Sequence, residues 1–145
     1  MASIFRIVLT LFFLTGCSSL IYYPDNYLHV HPDQLNVKFK DFSFNSLDGT
    51  KLSGWKLYSE QKPRNLIAFF HGNAENLTSH YVNLFWLTKS DSEILIFDYR
   101  GYGLSEGKPS PKGVYEDGVS FLNYAYEEYK KGGYKNFIVY TQSLG

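Results

Sequence analysis

Three short, largely apolar runs constrain the fold of this chain more than any other feature of its sequence. They are Leu66–Phe70, Glu93–Phe97 and Phe137–Tyr140. Runs of this length and composition are typical of strands that are covered on both faces of a sheet. Because segments with helical periodicity separate them, the order strand, helix, strand, helix, strand predicts a parallel sheet with helices packed on its faces.

The two connections between these runs carry the spacing of amphipathic helices. In the first, apolar residues recur at i, i+4, i+7 and i+8 from Leu77 to Phe85, which predicts one helical face. The second begins with Ser110 and Pro111, a favourable N-cap and first helical residue, and ends at Gly132-Gly133. We therefore expect a helix in each connection.

Residues 37–58 predict a β-hairpin upstream of the three runs. Asp48-Gly49 lies between two stretches rich in apolar residues, and both residues tolerate the positive φ that tight hairpin turns require. The expected fold class is therefore α/β, with an N-terminal hairpin followed by a β-α-β-α-β parallel sheet that ends at Ser143.

Composition excludes several classes of function. The 14 Lys and Arg residues balance 14 Asp and Glu residues among 145, so nothing favours nucleic-acid binding. His29 and His31 could share a face, but no third ligand is near and we expect no metal site. The one cysteine, Cys17, excludes an internal disulfide. We expect no cofactor.

The N-terminus has the pattern of an export signal. Arg6 precedes an apolar run, Ile7–Leu14, that is far shorter than the ~20 residues needed to cross a bilayer. The sequence Leu-Thr-Gly-Cys that follows resembles the bacterial lipobox, whose cysteine becomes the lipid-bearing mature N-terminus. The alternatives are a plain signal peptide or a buried apolar start, with Cys17 incidental.

This resemblance implies three regions and a location. Residues 1–16 would be a lipoprotein signal peptide, residues 17–36 a tether, and residues 37–145 the N-terminal part of a domain whose C-terminal part we expect to be absent. The protein would be held at the membrane by lipid on Cys17, in the bacterial cell envelope. Ser18 lacks the acidic character of an inner-membrane retention signal, so a Gram-negative host implies the periplasmic face of the outer membrane.

The residues that could take part in catalysis or binding fall in three loops that follow the predicted strands. These loops begin at His71, Asp98 and Thr141. Because reactive groups in sheets of this type lie at the carboxyl ends of the strands, we expect the three loops to converge on one edge.

The last loop, residues 141–145, fits a nucleophile elbow at four of its five positions. An elbow turns sharply from strand to helix and exposes a serine, here Ser143, and it needs small residues two before and two after that serine. Gly145 satisfies this requirement, whereas Thr141 is bulkier than the usual glycine.

The first loop, His71-Gly72-Asn73, supplies a second signal. Acyl transfer needs two N–H donors for the oxyanion, and Leu144 and Asn73 are placed to supply them.

Taken in order, the three loops resemble the α/β-hydrolase superfamily, and most of all its serine-aminopeptidase-like branch. The resemblance covers about residue 42 to the end of the chain. It implies a partial α/β-hydrolase fold, Ser143 as the nucleophile, and an oxyanion hole formed by the N–H groups of Asn73 and Leu144. It also implies a set of residues that shape the site without reacting: His71, Gly72, Asp98, Arg100, Gly101, Gly103 and Gly145.

The middle loop has a rival interpretation. Its glycines, Gly101, Gly103 and Gly107, resemble a dinucleotide-binding fingerprint. That fingerprint works only where its glycines open a helix. Pro109 and Pro111 delay the predicted helix, so we reject nucleotide binding.

The family places its acid and histidine after the serine, and all four histidines of this chain precede it. We therefore expect a truncated or split serine hydrolase, acting on an ester, thioester or amide and inactive as this chain alone. A separate C-terminal polypeptide would complete the fold. The alternative is a lipid-anchored remnant or binding module without catalysis.

Overall fold

The structure, a computed structural model, describes residues 21–145. The predicted signal peptide and Cys17 lie outside the described residues. The strands are β1 (Tyr23–Pro24), β2 (Phe39–Asn45), β3 (Lys51–Leu57), β4 (Asn65–Phe70), β5 (Ala74–Glu75), β6 (Ser92–Phe97) and β7 (Asn136–Thr141). Two α-helices, α1 (Leu77–His80) and α2 (Pro111–Gly132), and three 3-10 turns, Pro32–Leu35, Tyr81–Asn83 and Phe85–Lys89, complete the described elements.

Five strands form one sheet in the order β2-β3-β6-β4-β7. Strands β2 and β3 pair antiparallel from Phe39 opposite Leu57 to Asn45 opposite Lys51, and Gly49 in their turn has φ 87°. The predicted hairpin is therefore confirmed. Strand β4 pairs parallel with both β6 and β7, so the predicted α/β class with a parallel sheet is also confirmed.

Strand β7 departs from one expectation. We predicted a strand covered on both faces, yet Ile138, Val139 and Tyr140 are 42%, 47% and 39% exposed. Within residues 21–145, β7 is the outer strand of the sheet and pairs with β4 alone. The apolar run thus identified a strand correctly but not its burial, because burial depends on what else packs against it.

Helix α2 begins and ends as predicted. The Ser110 hydroxyl accepts a hydrogen bond from the Gly113 amide at 3.1 Å, Pro111 occupies the first turn, and Gly133 closes the helix with φ 68°. Phe121 and Ala125 of α2 are fully buried in the layer between this helix and the sheet.

The segment 77–89 is less regular than predicted. The predicted apolar face is confirmed, because Leu77, Tyr81 and Leu84 are all buried. Instead of one helix, however, it forms the single turn α1 and the 3-10 turns Tyr81–Asn83 and Phe85–Lys89. Leu84, with φ −124° and ψ −7°, interrupts the helical backbone. Tertiary contacts stabilise the segment in place of a continuous helix, since the Tyr81 ring packs edge-on against Trp55 with the ring centroids 5.6 Å apart.

Candidate active site

The three candidate loops begin at one edge of the sheet, as predicted from the strand order. Phe70 at the end of β4 lies opposite Thr141 at the end of β7, and the Gln142 amide donates to the Phe70 carbonyl at 3.0 Å. On the other side of β4, Phe69 pairs with Ile96, one residue before the end of β6. The registers therefore place the starts of all three loops next to one another.

Ser143 lies in a strained corner at this edge. Its φ of 55° is one of three positive values among non-glycine residues of the described chain, and it is exposed to solvent. The Gly145 amide closes the turn by donating to the Gln142 carbonyl at 3.1 Å. Left-handed backbone at a non-glycine residue costs about 1–3 kcal/mol and is concentrated at functional sites.

The corner fits closely against β4. A Cβ atom at position 145 would lie 2.5 Å from the Phe70 Cβ and 2.6 Å from the Phe70 carbonyl oxygen. A side chain at this position therefore requires the turn to move. Thr141, which departs from the usual elbow pattern, is exposed, so its larger side chain is accommodated at the edge of the described sheet.

The loop after β4 lies against the serine. A Cβ atom at Gly72 would be 3.7 Å from the Ser143 Cβ and 3.8 Å from the Gln142 carbonyl oxygen. Asn73 is the next residue of this loop. Leu144, on the other side of the nucleophile, is half-buried and packs against the core beneath α2.

His71 and Asp98 are buried structural groups beneath this loop. The His71 ring has no exposed surface, and its Nδ1 lies 2.7 Å from the Gly72 carbonyl, so Nδ1 carries the hydrogen and donates it. Nε2 is 3.5 Å from Asp98 Oδ1, which is too long for a hydrogen bond. Asp98 Oδ1 instead accepts from the Leu77 amide at 2.7 Å and supports the start of α1.

The remaining histidines of the described chain also have structural partners. His80 stacks on His71 with ring centroids 5.2 Å apart, and its Nε2 lies 2.8 Å from the Ala74 carbonyl. His29 pairs with Asp25 at 3.0 Å, while His31 accepts from a nearby backbone amide in the 3-10 turn. Residues 21–145 contain no group of three or more His, Cys, Asp or Glu side chains that could hold a metal ion.

Arg100 is buried in a cluster of ion pairs. Its guanidinium contacts the buried Asp117 of α2 at 2.8 Å, and Asp48 of the hairpin turn at 2.8 Å. Asp117 also accepts from the Arg100 amide at 2.9 Å. The hydrogen bond to Asp117 raises the pKa of Arg100, and the hydrogen bond from Arg100 lowers the pKa of Asp48. This ionic cluster joins the loop after β6 to both α2 and the hairpin.

Gly101 and Gly103 form turns and do not open a helix. Their φ values are 78° and 49°, and α2 begins only at Pro111. A Cβ atom at position 103 would lie 2.0 Å from Asp98 Oδ2, so glycine is required where this loop crosses Asp98. The arrangement that a dinucleotide fingerprint needs is absent from this loop.

One feature of the site has no counterpart in the sequence analysis. Residues 21–31, which we call the strap, were predicted to be part of a tether, but they cross the rim of the site. Their bridge to the loop after β4 consists of β1 paired in parallel with β5. The Asn73 side chain donates to the Ile21 carbonyl at 2.5 Å and accepts from the Tyr102 hydroxyl at 2.8 Å.

A second set of contacts fixes the middle of the strap. Asp25 accepts from the Asn76 side chain at 2.5 Å, and its carbonyl accepts from the Gly103 amide at 2.8 Å. The strap therefore contacts two of the three loops. Because its sequence has no periodicity, no local pattern predicts these long-range bonds.

Within residues 21–145, no helix is long and apolar enough to span a bilayer.

Comparisons with known proteins agree with this architecture. No protein-family model matches the chain. It is 35% identical over 130 residues to the uncharacterized protein YfhR of Escherichia coli K12, a match that spans 81% of this chain and 45% of YfhR. It is 31% identical over 99 residues to the α/β-hydrolase domain-containing protein WAV2 of Arabidopsis thaliana, spanning 66% of this chain and 32% of WAV2.

Among solved structures, the esterase Pf2001 of Pyrococcus furiosus superposes with a TM-score of 0.69 at 22% identity, over 86% of this chain and 48% of the esterase. The brefeldin A esterase superposes with a TM-score of 0.58 at 20% identity, over 85% of this chain and 36% of that enzyme. The chain thus spans less than half the length of these curated relatives. Its fold is that of part of an α/β hydrolase, and the names of its relatives and its structural neighbours support the α/β-hydrolase superfamily.

Proposed function

We propose that this chain carries the nucleophile and the oxyanion hole of a serine hydrolase. The observation that carries the proposal is the positive φ of Ser143, 55°, in a tight corner packed against Gly72. The superfamily and the esterase structures that share the fold support an ester substrate, with thioesters and amides open to the same chemistry. We also propose membership of the serine-aminopeptidase-like branch, on the motifs of the three loops.

In the proposed reaction, Ser143 Oγ attacks the carbonyl carbon of the substrate and gives its proton to a general base. The negative charge that develops on the carbonyl oxygen is stabilised by the N–H groups of Asn73 and Leu144. The bond to the leaving group then breaks, the base returns the proton to that group, and an acyl-enzyme remains on Ser143. Water, deprotonated by the same base, releases the acid product and restores the hydroxyl.

We propose that the general base and its acid partner come from outside residues 21–145. His71 is fully buried and its Nε2 lies 3.5 Å from the Asp98 carboxylate, while Nε2 of His80 contacts the Ala74 carbonyl. Both also precede Ser143 in the sequence, whereas the superfamily places its histidine after the serine. The base would be supplied by a further part of the protein or by a separate polypeptide that completes the fold. Residues 1–145 alone would then show no turnover, because a serine without a base is a poor nucleophile.

A fluorophosphonate probe tests this function. In cells that carry the intact gene with its surroundings, we expect labelling that Ser143→Ala abolishes and that Ser43→Ala, at an exposed strand position, leaves unchanged. The purified chain of residues 1–145 should label weakly. Absence of Ser143-dependent labelling in cells would overturn the proposal in favour of a non-catalytic binding module, whereas strong labelling of the purified chain would overturn the external base.

We further propose that the mature protein begins at Cys17 and is held by lipid at the cell envelope, on the periplasmic face of the outer membrane in a Gram-negative host. The support is Arg6, the short apolar run Ile7–Leu14 and the Leu-Thr-Gly-Cys sequence. Metabolic labelling with a fatty acid should mark the protein, and Cys17→Ser should abolish the label. An unlabelled wild-type protein would contradict lipid attachment.

A further inference from the structure

The strap displays apolar side chains to solvent at the rim of the site. Ile21, Tyr23, Tyr27 and Leu28 are 54%, 61%, 69% and 51% exposed. Leu104, 80% exposed, adds to them from the loop after β6. That loop is joined to the strap, because the Gly103 amide donates to the Asp25 carbonyl at 2.8 Å. We call these five side chains the rim patch.

The rim patch borders an apolar cleft. A cavity of about 310 Å³ lies between the strap and the hairpin, and Tyr27, Leu28 and Leu104 form part of its wall. Phe39, Trp55 and Leu77 contribute further apolar walls. The patch is therefore continuous with a recess, in contrast to the apolar residues that occur singly on most protein surfaces.

Hydrogen bonds hold the strap backbone in place while it presents these side chains. The Asn76 side chain donates to the Tyr27 carbonyl at 2.8 Å, and the His29 amide donates to the Thr78 hydroxyl at 3.0 Å. His29 also pairs with Asp25 at 3.0 Å. The exposed rings and Leu side chains thus project from an ordered backbone, which lowers the entropic cost of binding a partner through them.

The position of the patch along the chain indicates its partner. Ile21 follows Cys17 by four residues, which reach at most about 14 Å when fully extended. Lipid on Cys17 would therefore keep the strap within about that distance of the bilayer. Tyrosine is enriched where proteins meet the membrane interface, and amphipathic surfaces bury leucine and aromatic side chains there.

We propose that the rim patch docks on the surface of the phospholipid bilayer and orients the catalytic edge towards it. This inference rests on the lipid attachment proposed at Cys17. It adds that the fold itself contacts the bilayer through one defined face, whereas a lipid on an unstructured tether would leave the domain free to rotate. The C-terminal half of α2, which contributes nothing to the rim patch, would face the solvent.

Site-directed fluorescence on the lipidated protein tests the docking. Because Cys17 is the one cysteine of the sequence and lipid would occupy its sulfur, a newly introduced cysteine can carry an environment-sensitive fluorophore. The labelled variants are Leu28→Cys and Leu104→Cys in the patch, with Tyr126→Cys and Lys131→Cys as controls on the C-terminal half of α2. Tyr126 is 49% exposed, and Lys131 is also exposed.

In vesicles of phosphatidylethanolamine and phosphatidylglycerol, we expect the two patch labels to shift to shorter wavelength and to be quenched by nitroxide-bearing lipids. The two α2 labels should show neither change. Equal quenching at all four positions, or none at the patch, would overturn the docking. The use of two patch positions on different loops keeps the test decisive if one variant fails to fold.

The same labelled protein distinguishes failure of the docking proposal from failure of the lipid-attachment proposal. If Cys17 carries no lipid, each variant will accept two fluorophores per chain, and its mass will lack the acyl groups. A protein with acylated Cys17 whose patch labels remain in water would overturn the docking and leave the lipid attachment standing.

Discussion

At the scale of single residues, the candidate site depends on a glycine, Gly145, which has no side chain. Ser143 adopts a left-handed backbone, φ 55°, because the chain must reverse within van der Waals distance of β4. Gly145 permits this approach: a Cβ atom there would meet Phe70 at 2.5 Å. The residue that permits this turn, Gly145, thus lies two positions after the proposed nucleophile, Ser143.

Gly145→Ala should disturb the corner, because the β4 backbone cannot move aside without breaking its pairing with β7. We expect the free energy of unfolding to fall by about 1–3 kcal/mol, as for other overpacked sites. We also expect labelling of Ser143 by the fluorophosphonate probe to be lost in cells that carry the intact gene. Denaturant titration and probe labelling measure the two effects.

Gly118→Ala is the matched control. A Cβ atom at this position in α2 would lie 3.6 Å from the Phe70 Cε1, which is ordinary contact. Alanine should therefore be neutral or stabilise by up to about 1 kcal/mol through its helix propensity. Equal destabilisation by the two substitutions would contradict the steric argument for position 145.

At the scale of elements, the strap is joined by hydrogen bonds to the loops after β4 and β6. It contains one two-residue strand and no apolar periodicity, yet its bonds reach Asn73, Asn76 and Gly103. Because Asn73 is a proposed oxyanion donor, the order of the strap should determine how well this amide is positioned.

Asp25→Ala should release the strap, because it removes the acceptor of the Asn76 side chain and the partner of His29. We expect faster hydrogen exchange at residues 21–31 and at Gly103, with unchanged protection of β4 and β6. The cost in unfolding free energy should be about 1–2 kcal/mol, since buried polar partners lose their hydrogen bonds.

Asp33→Ala is the corresponding control on the neighbouring 3-10 turn. The Asp33 carboxylate is 79% exposed and, among residues 21–145, forms an ion pair with His31 alone. Such surface pairs contribute about 0–1 kcal/mol. If Asp33→Ala accelerates exchange in the strap as much as Asp25→Ala does, the Asp25 contacts are not what holds it.

At the scale of the whole molecule, tyrosines are buried in both apolar layers and at the site. Burial raises the pKa of Tyr81, between the sheet and segment 77–89, to about 12. It also raises the pKa of Tyr102, beside Asn73, to about 12, and raises the pKa of Tyr99 beneath the same loops. All three phenols are therefore favoured in their neutral form in the folded protein.

The fold should lose stability in alkali within a defined range. Unfolded tyrosine ionises near pH 10, so the full contribution of these groups is present below that pH. It then decreases as pH rises from about 10 to 12, because the unfolded chain releases protons that the folded chain retains. Denaturant midpoints measured across this range should fall, and Tyr81→Phe should reduce the fall.

Tyr115→Phe should leave the alkaline transition as it is, because that ring is 71% exposed. If the denaturant midpoint stays constant between pH 10 and 12, or if Tyr115→Phe changes it as much as Tyr81→Phe, the buried phenols do not control the alkaline transition.

Local sequence patterns were sufficient to predict several elements of the fold. The apolar runs predicted β4, β6 and β7, Asp48-Gly49 predicted the hairpin, and the Ser110 cap predicted where α2 begins. The order of these elements also predicted that the loops at His71, Asp98 and Thr141 would meet. Each of these inferences relies on neighbours in the chain or on the rule that parallel strands share their carboxyl edge.

Features that depend on distant partners could not be predicted from the sequence, because they arise from tertiary contacts. The tertiary structure broke segment 77–89 into turns that pack on Trp55, directed Arg100 to Asp117 and Asp48, and laid the strap across Asn73. Sequence patterns report local backbone preference and amphipathicity, whereas these contacts join residues tens of positions apart whose pairing is set by where the sheet places them.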